Sequence, residues 1–415
     1  MRLRGAFSLM GLLLGCAAST PSRPSASAPL PEPAAESPVR PPPEAPTARE
    51  LAELPRRQVA APGDAFTGEV EAAEAPTFQT REDALVLSVP LGTRSPMTCF
   101  VYAEPLEAGG ALHRLMALAA RRTRVRSARI TDVRLLAGAP AVFAELTYRS
   151  DTPGGESAGQ VKMMVHVDER VPLVCTHDEP GYVASFARIA GGLAGSLKGA
   201  GGEAPRPPRY TEFHVMRVRE APVGFEWRVV RDAAGSGRLT QVVTSLFFPR
   251  AVWELTAQDT VSTELSDKDG VLVARDDARA INGELDLRMS LEQVKGREYH
   301  YEGRVQGKDV SGAFTAPAAL ASAPGMTRAL REWLEGKGPD ALTLQLYSPE
   351  LNPVAPVAQV LRRGKGEGGR EVEAELGGGS ATLVLDANGA VERLVMPLGE
   401  NLRMVRERVS ATGVP

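Results

Sequence analysis

The chain has 415 residues, a formal net charge of −3 and only 5% aromatic residues. A near-neutral balance excludes an extended basic face for nucleic acid, and so few aromatics leave little to stack on bases or sugars. The length allows about two domains, each able to bury its own core.

The N-terminus reads as a secretory signal. Arg2 and Arg4 precede a short apolar run from Ala6 to Leu14, and Leu13-Leu14-Gly15 leads into Cys16. That order is a positive region, an apolar region and a small residue at the cut. The run is far below the roughly 20 residues a membrane-spanning helix needs. The Leu13-Leu14-Gly15-Cys16 ending resembles the lipobox of bacterial lipoproteins. The resemblance implies a signal peptide over 1–15, removal before Cys16 and lipid on that cysteine. Ala17 follows where enterobacterial lipoproteins retained at the inner membrane carry aspartate, so it also implies an outer-membrane anchor facing the periplasm.

Residues 16–65 read as the lipidated cysteine and a tether. Pro, Ala, Ser and Glu dominate, with Pro41-Pro42-Pro43 at the centre, and such a segment buries too little apolar surface to offset its ordering entropy. Around Ala48 to Arg57 a short helical interruption is expected, cut by Pro55.

The first folded unit is expected over 66–198. Ala84–Val89 and Cys99–Tyr102 read as strands, and Gly110–Arg122 as an amphipathic helix with Leu112, Leu115, Met116 and Ala119 on one face. Ala141–Tyr148 and Val161–Asp168 alternate as a hairpin joined by the turn residues Asp151 to Gly155. In the second of these strands Lys162, His166 and Asp168 should point to water. A closing helix is expected over Tyr182–Leu197. The order gives an antiparallel α+β sandwich, and with the Leu136–Ala144 hairpin it resembles the PsbP-like superfamily, whose members bind partner proteins.

Gly199 to Arg209 is a Gly/Pro linker. From 210 to 415 the chain turns almost wholly to strands. Leu285, Leu287, Met289 and Leu291 alternate with polar residues, and Asn388-Gly389 supplies a hairpin turn. A single amphipathic helix interrupts at Pro324–Glu335. One-sided alternation around one helix predicts a curved, mostly antiparallel β half-barrel with that helix packed in its concave side. This is similar to the LolA-like and RseB-like half-barrels of bacterial envelope proteins.

Three cysteines are present. With Cys16 assigned to lipid, Cys99 and Cys175 are expected to pair in an oxidising compartment. Gly155-Glu156-Ser157-Ala158-Gly159 spells the nucleophile-elbow motif. That chemistry needs the serine on a strand-to-helix turn, whereas Ser157 precedes a strand in a Gly-rich loop. Asp267 to Gly270 reads as a tight turn, because Leu265 stands where a calcium loop needs its first ligand. The five histidines are scattered, and the Cys175, His177, Asp178 cluster lacks a second ligand pair at zinc spacing. Arg121, Arg122, Arg124, Arg126 and Arg129 form the one basic cluster, a candidate patch for an anionic partner.

These features predict a lipid-anchored, non-catalytic envelope lipoprotein. It would act as a binding or assembly scaffold, held to the membrane through Cys16 and docking an envelope protein, with no catalytic residue, metal or cofactor. Two alternatives stand beside it: a carrier holding a lipid or other hydrophobic ligand in the concave face of the second domain, and a serine hydrolase using Ser157.

Overall fold

The structure is a computed structural model describing residues 49–414, apart from 82–83, 122, 153–154, 200–206, 252–253, 337–338, 367–369 and 400. Cys16, Arg122 and most of the expected tether lie outside the described residues.

Three antiparallel sheets build the described molecule. The smallest pairs β1 (Arg56–Ala60) with β2 (Phe66–Glu71). The second comprises β3 (Thr77–Thr80), β4 (Ala84–Val89), β5 (Met97–Tyr102), β6 (Arg124–Leu136), β7 (Ala139–Thr152), β8 (Gly155–His166) and β9 (Leu173–His177), in the order β3-β4-β5-β9-β8-β7-β6. Between these strands run α1 (Ala108–Ala120), before β6, and α2 (Val183–Ser196), after β9. The short β10 (Lys198–Gly199) then returns to β2.

The third sheet has 14 strands. They are β11 (Tyr210–Val218), β12 (Ala221–Asp232), β13 (Arg238–Ala251), β14 (Glu254–Ser266), β15 (Leu272–Ile281), β16 (Glu284–Lys295), β17 (Glu298–Val305) and β18 (Lys308–Thr315), then β19 (Ala341–Leu346), β20 (Val357–Arg363), β21 (Glu371–Leu376), β22 (Gly379–Leu385), β23 (Val391–Gly399) and β24 (Leu402–Gly413). The chain starts at β11 in the middle and runs outward by hairpins to β18. It crosses to the far edge through α3 (Ala323–Glu335) and returns by hairpins until β24 pairs with β11. The two edges curl toward each other: Phe314 on β18 stacks on Tyr347 just beyond β19, with centroids 6.1 Å apart.

The expected fold class is corrected here. The described residues form 24 strands and three short α-helices in large antiparallel sheets, a mostly β molecule rather than an α+β sandwich followed by a half-barrel with a packed helix. The reason lies in what covers the seven-stranded sheet. One face packs on α2 and the small sheet. The other face shares a core with α1 and with Phe213, Val215, Phe225, Phe247 and Ala257 of β11–β14. Helix α1 is thus a wedge between two sheets. At Gly109 an added Cβ would meet Ala257 Cβ and an Asp259 carboxylate oxygen at 2.8 Å, so only glycine permits this approach. Asp259 in turn accepts the N–H groups of Gly109 (2.8 Å) and Gly110 (2.7 Å) and the Ser245 hydroxyl (2.6 Å), capping α1 from the other sheet.

Coverage on both faces also overturns the outward placement of Lys162 and His166, which are 1% and 2% exposed. Lys162 Nζ donates to the carbonyls of Glu179 and Gly181, and His166 Nε2 lies 3.0 Å from the Leu136 carbonyl. The tether read to residue 65 ends earlier. Arg56–Ala60 is a strand rather than part of a helix, Leu51, Leu54, Val59 and Ala61 join the first core, and Glu50 accepts the N–H groups of Ala184 and Ser185 at the start of α2.

Cys99 and Cys175 form a disulfide. They sit directly opposite each other on β5 and β9 and are fully buried. Closing so long a loop contributes on the order of 4 kcal/mol by restricting the unfolded chain.

Candidate functional site

Two regions offer recognition chemistry, one open and one enclosed. The open one is a cleft of about 800 Å³ between β2, the β4–β5 hairpin, the loop before α1 and the segment entering β9. The buried side chains of Phe66, Val101 and Val171 give it an apolar wall. Arg81, Arg114 and Arg170 stand exposed around it, with Glu104 as the one lining acid among the described residues. Among the described residues, none of the three arginines makes an ion pair. This volume lies in the range of ligand and peptide sites, which combine apolar walls with a few placed polar groups.

The enclosed region is the concave face of the 14-stranded sheet. Side chains alternate across a strand, so every second residue of β11–β15 faces inward. Glu212 pairs across to Arg228, and His214 to Glu226. The second rung continues through Thr244 and Thr260 to Arg279, and a third links Thr240, Glu264 and Arg275. Arg228 bonds Glu212 at 2.5 Å and Glu226 at 3.3 Å, while Arg406 on β24 reaches Glu226 at 2.6 Å. Arg275 holds Glu264 at 2.6 Å and Asp277 at 2.7 Å. The Tyr210 hydroxyl donates to Glu212 (2.9 Å).

Burial sets the protonation of this floor. It drives Glu212 upward, but Arg228, His214 and Arg406 outweigh it and hold that carboxyl below its usual range. His214 is pushed down to about 4, by burial first and Arg406 second. Glu350, which accepts from Arg279 at 3.1 Å, is pushed up to about 7 by burial.

Helix α3 connects this region to β20–β24. Ser322 caps its first turn, and Glu264 accepts the Ala323 N–H at 2.8 Å. Leu330 and Trp333 pack into the core lined by β20–β24. At the other end Arg363 donates to the Trp333 carbonyl (2.6 Å) and lies over its ring. What is left inside is a cavity of about 70 Å³, bordered by Arg228, Arg275, Arg406 and Glu264. That is well below the roughly 300 Å³ at which ligand pockets begin.

The residues singled out in the sequence fare differently. In the basic cluster, Arg129 is bound to buried Glu145 at 2.9 Å, and Arg124 and Arg126 also have interaction partners. Arg121 ends α1. Ser157 lies within strand β8, opposite Ser150, and not on a strand-to-helix turn. The Asp267 turn is an Asx turn whose carboxylate accepts the N–H groups of Asp269 and Val271. No sequence motif singles out Glu212, His214 and Glu226 as a group. The available signal was Glu212 and His214 two apart, on one face of a strand.

No known family profile matches the chain, and no curated protein matches it. Among solved structures it is similar to a β-barrel-like protein of domain of unknown function DUF1849 from Brucella abortus. The identity is 14% and the TM-score 0.38, over 50% of this chain and 98% of that one. A second similar structure, from Bacteroides thetaiotaomicron, shows 12% identity and a TM-score of 0.22, over 38% of this chain and 52% of that one.

Proposed function

We propose that the chain is a non-catalytic scaffold lipoprotein of the bacterial envelope, anchored through lipid on Cys16 to the outer membrane and facing the periplasm. It docks an acidic and partly apolar segment of another envelope protein in the arginine-lined cleft. The observation that carries this reading is the combination of an open apolar wall with three arginines against one acid. Charges without an ion-pair partner among the described residues, at the rim of an apolar groove, favour an oppositely charged partner and speed its encounter. The signal-like N-terminus supports the location, and the buried Cys99–Cys175 bond supports an oxidising compartment.

The carrier reading has less support, because the cavity against the charged floor is only about 70 Å³.

The test places a photo-cross-linking amino acid at Leu106, a residue lining the cleft, in the full chain in cells. The expected result is one protein adduct, lost when Arg81, Arg114 and Arg170 are together replaced by Glu and kept when they become Lys. An adduct that survives the charge reversal, or none at all, sinks the reading.

A further inference from the structure

We infer that Glu212, His214 and Glu226 form a buried binding site for one divalent transition-metal ion of the zinc or manganese class. The three residues lie on neighbouring strands β11 and β12 and are at most 1% exposed. One ligand atom from each falls within 4.8 Å of the other two.

The outer contacts of these residues turn the remaining donors toward one another. His214 Nε2 lies 2.9 Å from the Val391 carbonyl. A carbonyl only accepts, so Nε2 carries the proton and Nδ1 of the neutral ring presents a lone pair. That Nδ1 has no hydrogen-bond partner. Glu226 Oε1 is held by Arg406 and Arg228, while its Oε2 has no partner. Glu212 is pinned by the Tyr210 hydroxyl and Arg228. Two buried acceptors, an imidazole nitrogen and a carboxylate oxygen, cannot hydrogen-bond each other; a cation satisfies both.

A histidine whose second nitrogen donates to a carbonyl, and carboxylates held by outer hydrogen bonds, are how proteins orient metal ligands. One imidazole with two carboxylates suits Zn²⁺, Mn²⁺ or Fe²⁺ rather than soft, thiolate-seeking ions.

The site is enclosed, so the test loads it during folding. The full chain is unfolded without reductant and refolded with one equivalent of Zn²⁺, then desalted and assayed for metal. Wild type is expected to retain about one ion per chain. His214→Gln, whose amide can still donate to Val391, should bind at least tenfold more weakly. Should that variant fail to refold, ¹⁵N-histidine spectra of wild type decide instead: Zn²⁺ should shift Nδ1 of one of the five histidines. A wild-type chain that retains no zinc, a variant that retains it equally, or spectra in which no Nδ1 moves would overturn the site.

Discussion

The two faces of strands β11–β14 are both buried and chemically opposite. Phe213, Val215, Phe225 and Phe247 face the seven-stranded sheet and merge with its core. One residue along, Glu212, His214, Glu226, Arg228 and Thr244 face the concave side and are just as enclosed. The apolar face holds by burial alone, at roughly 25 cal/mol per Å² removed from water. The polar face holds only while every charge keeps its partner. The cleft differs from both, since its arginines face water, although Arg114 also favours the charged form of buried Asp259.

This comparison can be broken by substitution. The largest effect should come from Arg228→Met, which takes the paired cation from buried Glu212 and leaves Glu226 to Arg406 alone. A loss of about 4 kcal/mol in urea unfolding is expected, and a loss under about 1 kcal/mol would mean that the floor is solvated. Next is the pH dependence of the metal-free chain. Glu350 stands at about 7 in the folded protein against an ordinary 4.5. Its contribution is therefore complete below pH 4.5 and lost as pH rises through 7. His214 stands at about 4 against 6.5, so its contribution is complete above pH 6.5 and lost as pH falls toward 4. Each amounts to about 3 kcal/mol, and between pH 4.5 and 6.5 they offset each other. Glu350→Gln should make stability rise with pH across that window, and His214→Gln should make it fall; melting curves at pH 5 and 7 read both.

A smaller loss, about 2 kcal/mol, is expected for Asp259→Ala, which removes the acceptor for three buried donors between the sheets. If urea unfolding shows no change, α1 does not need its cap from β14. The smallest effect belongs to the cleft. Arg81→Glu and Arg170→Glu should each change unfolding free energy by less than about 0.5 kcal/mol. A larger loss would show these arginines to be structural.

Much of the local structure was legible in the sequence because it is set by near neighbours. Strand β4 was read at its observed bounds, and α2 and α3 to within one residue at each end. The Asn388-Gly389 turn falls where β22 gives way to β23, and Cys99 paired with Cys175 as expected. What alternation does not encode is whether the polar face of a strand meets water. Lys162 and His166 alternate as outward residues, and they, His214 and Glu226 are all enclosed. Their partners lie far along the chain: Arg406 reaches Glu226 across 180 residues, and Asp259 reaches Gly109 across 150. The cleft was illegible for the same reason. Arg81, Arg114 and Arg170 meet only when three segments converge, whereas the arginines that cluster in sequence, such as Arg129, include one already bound within its own sheet.

The most direct test of the division between an enclosed floor and a binding cleft is lipid analysis of the purified full chain by native mass spectrometry and organic extraction. A concave face lined by buried, mutually paired charges predicts no lipid beyond any attached to Cys16. An equimolar, non-covalent lipid that leaves only on unfolding would contradict it, and would return the concave face to the role of a carrier.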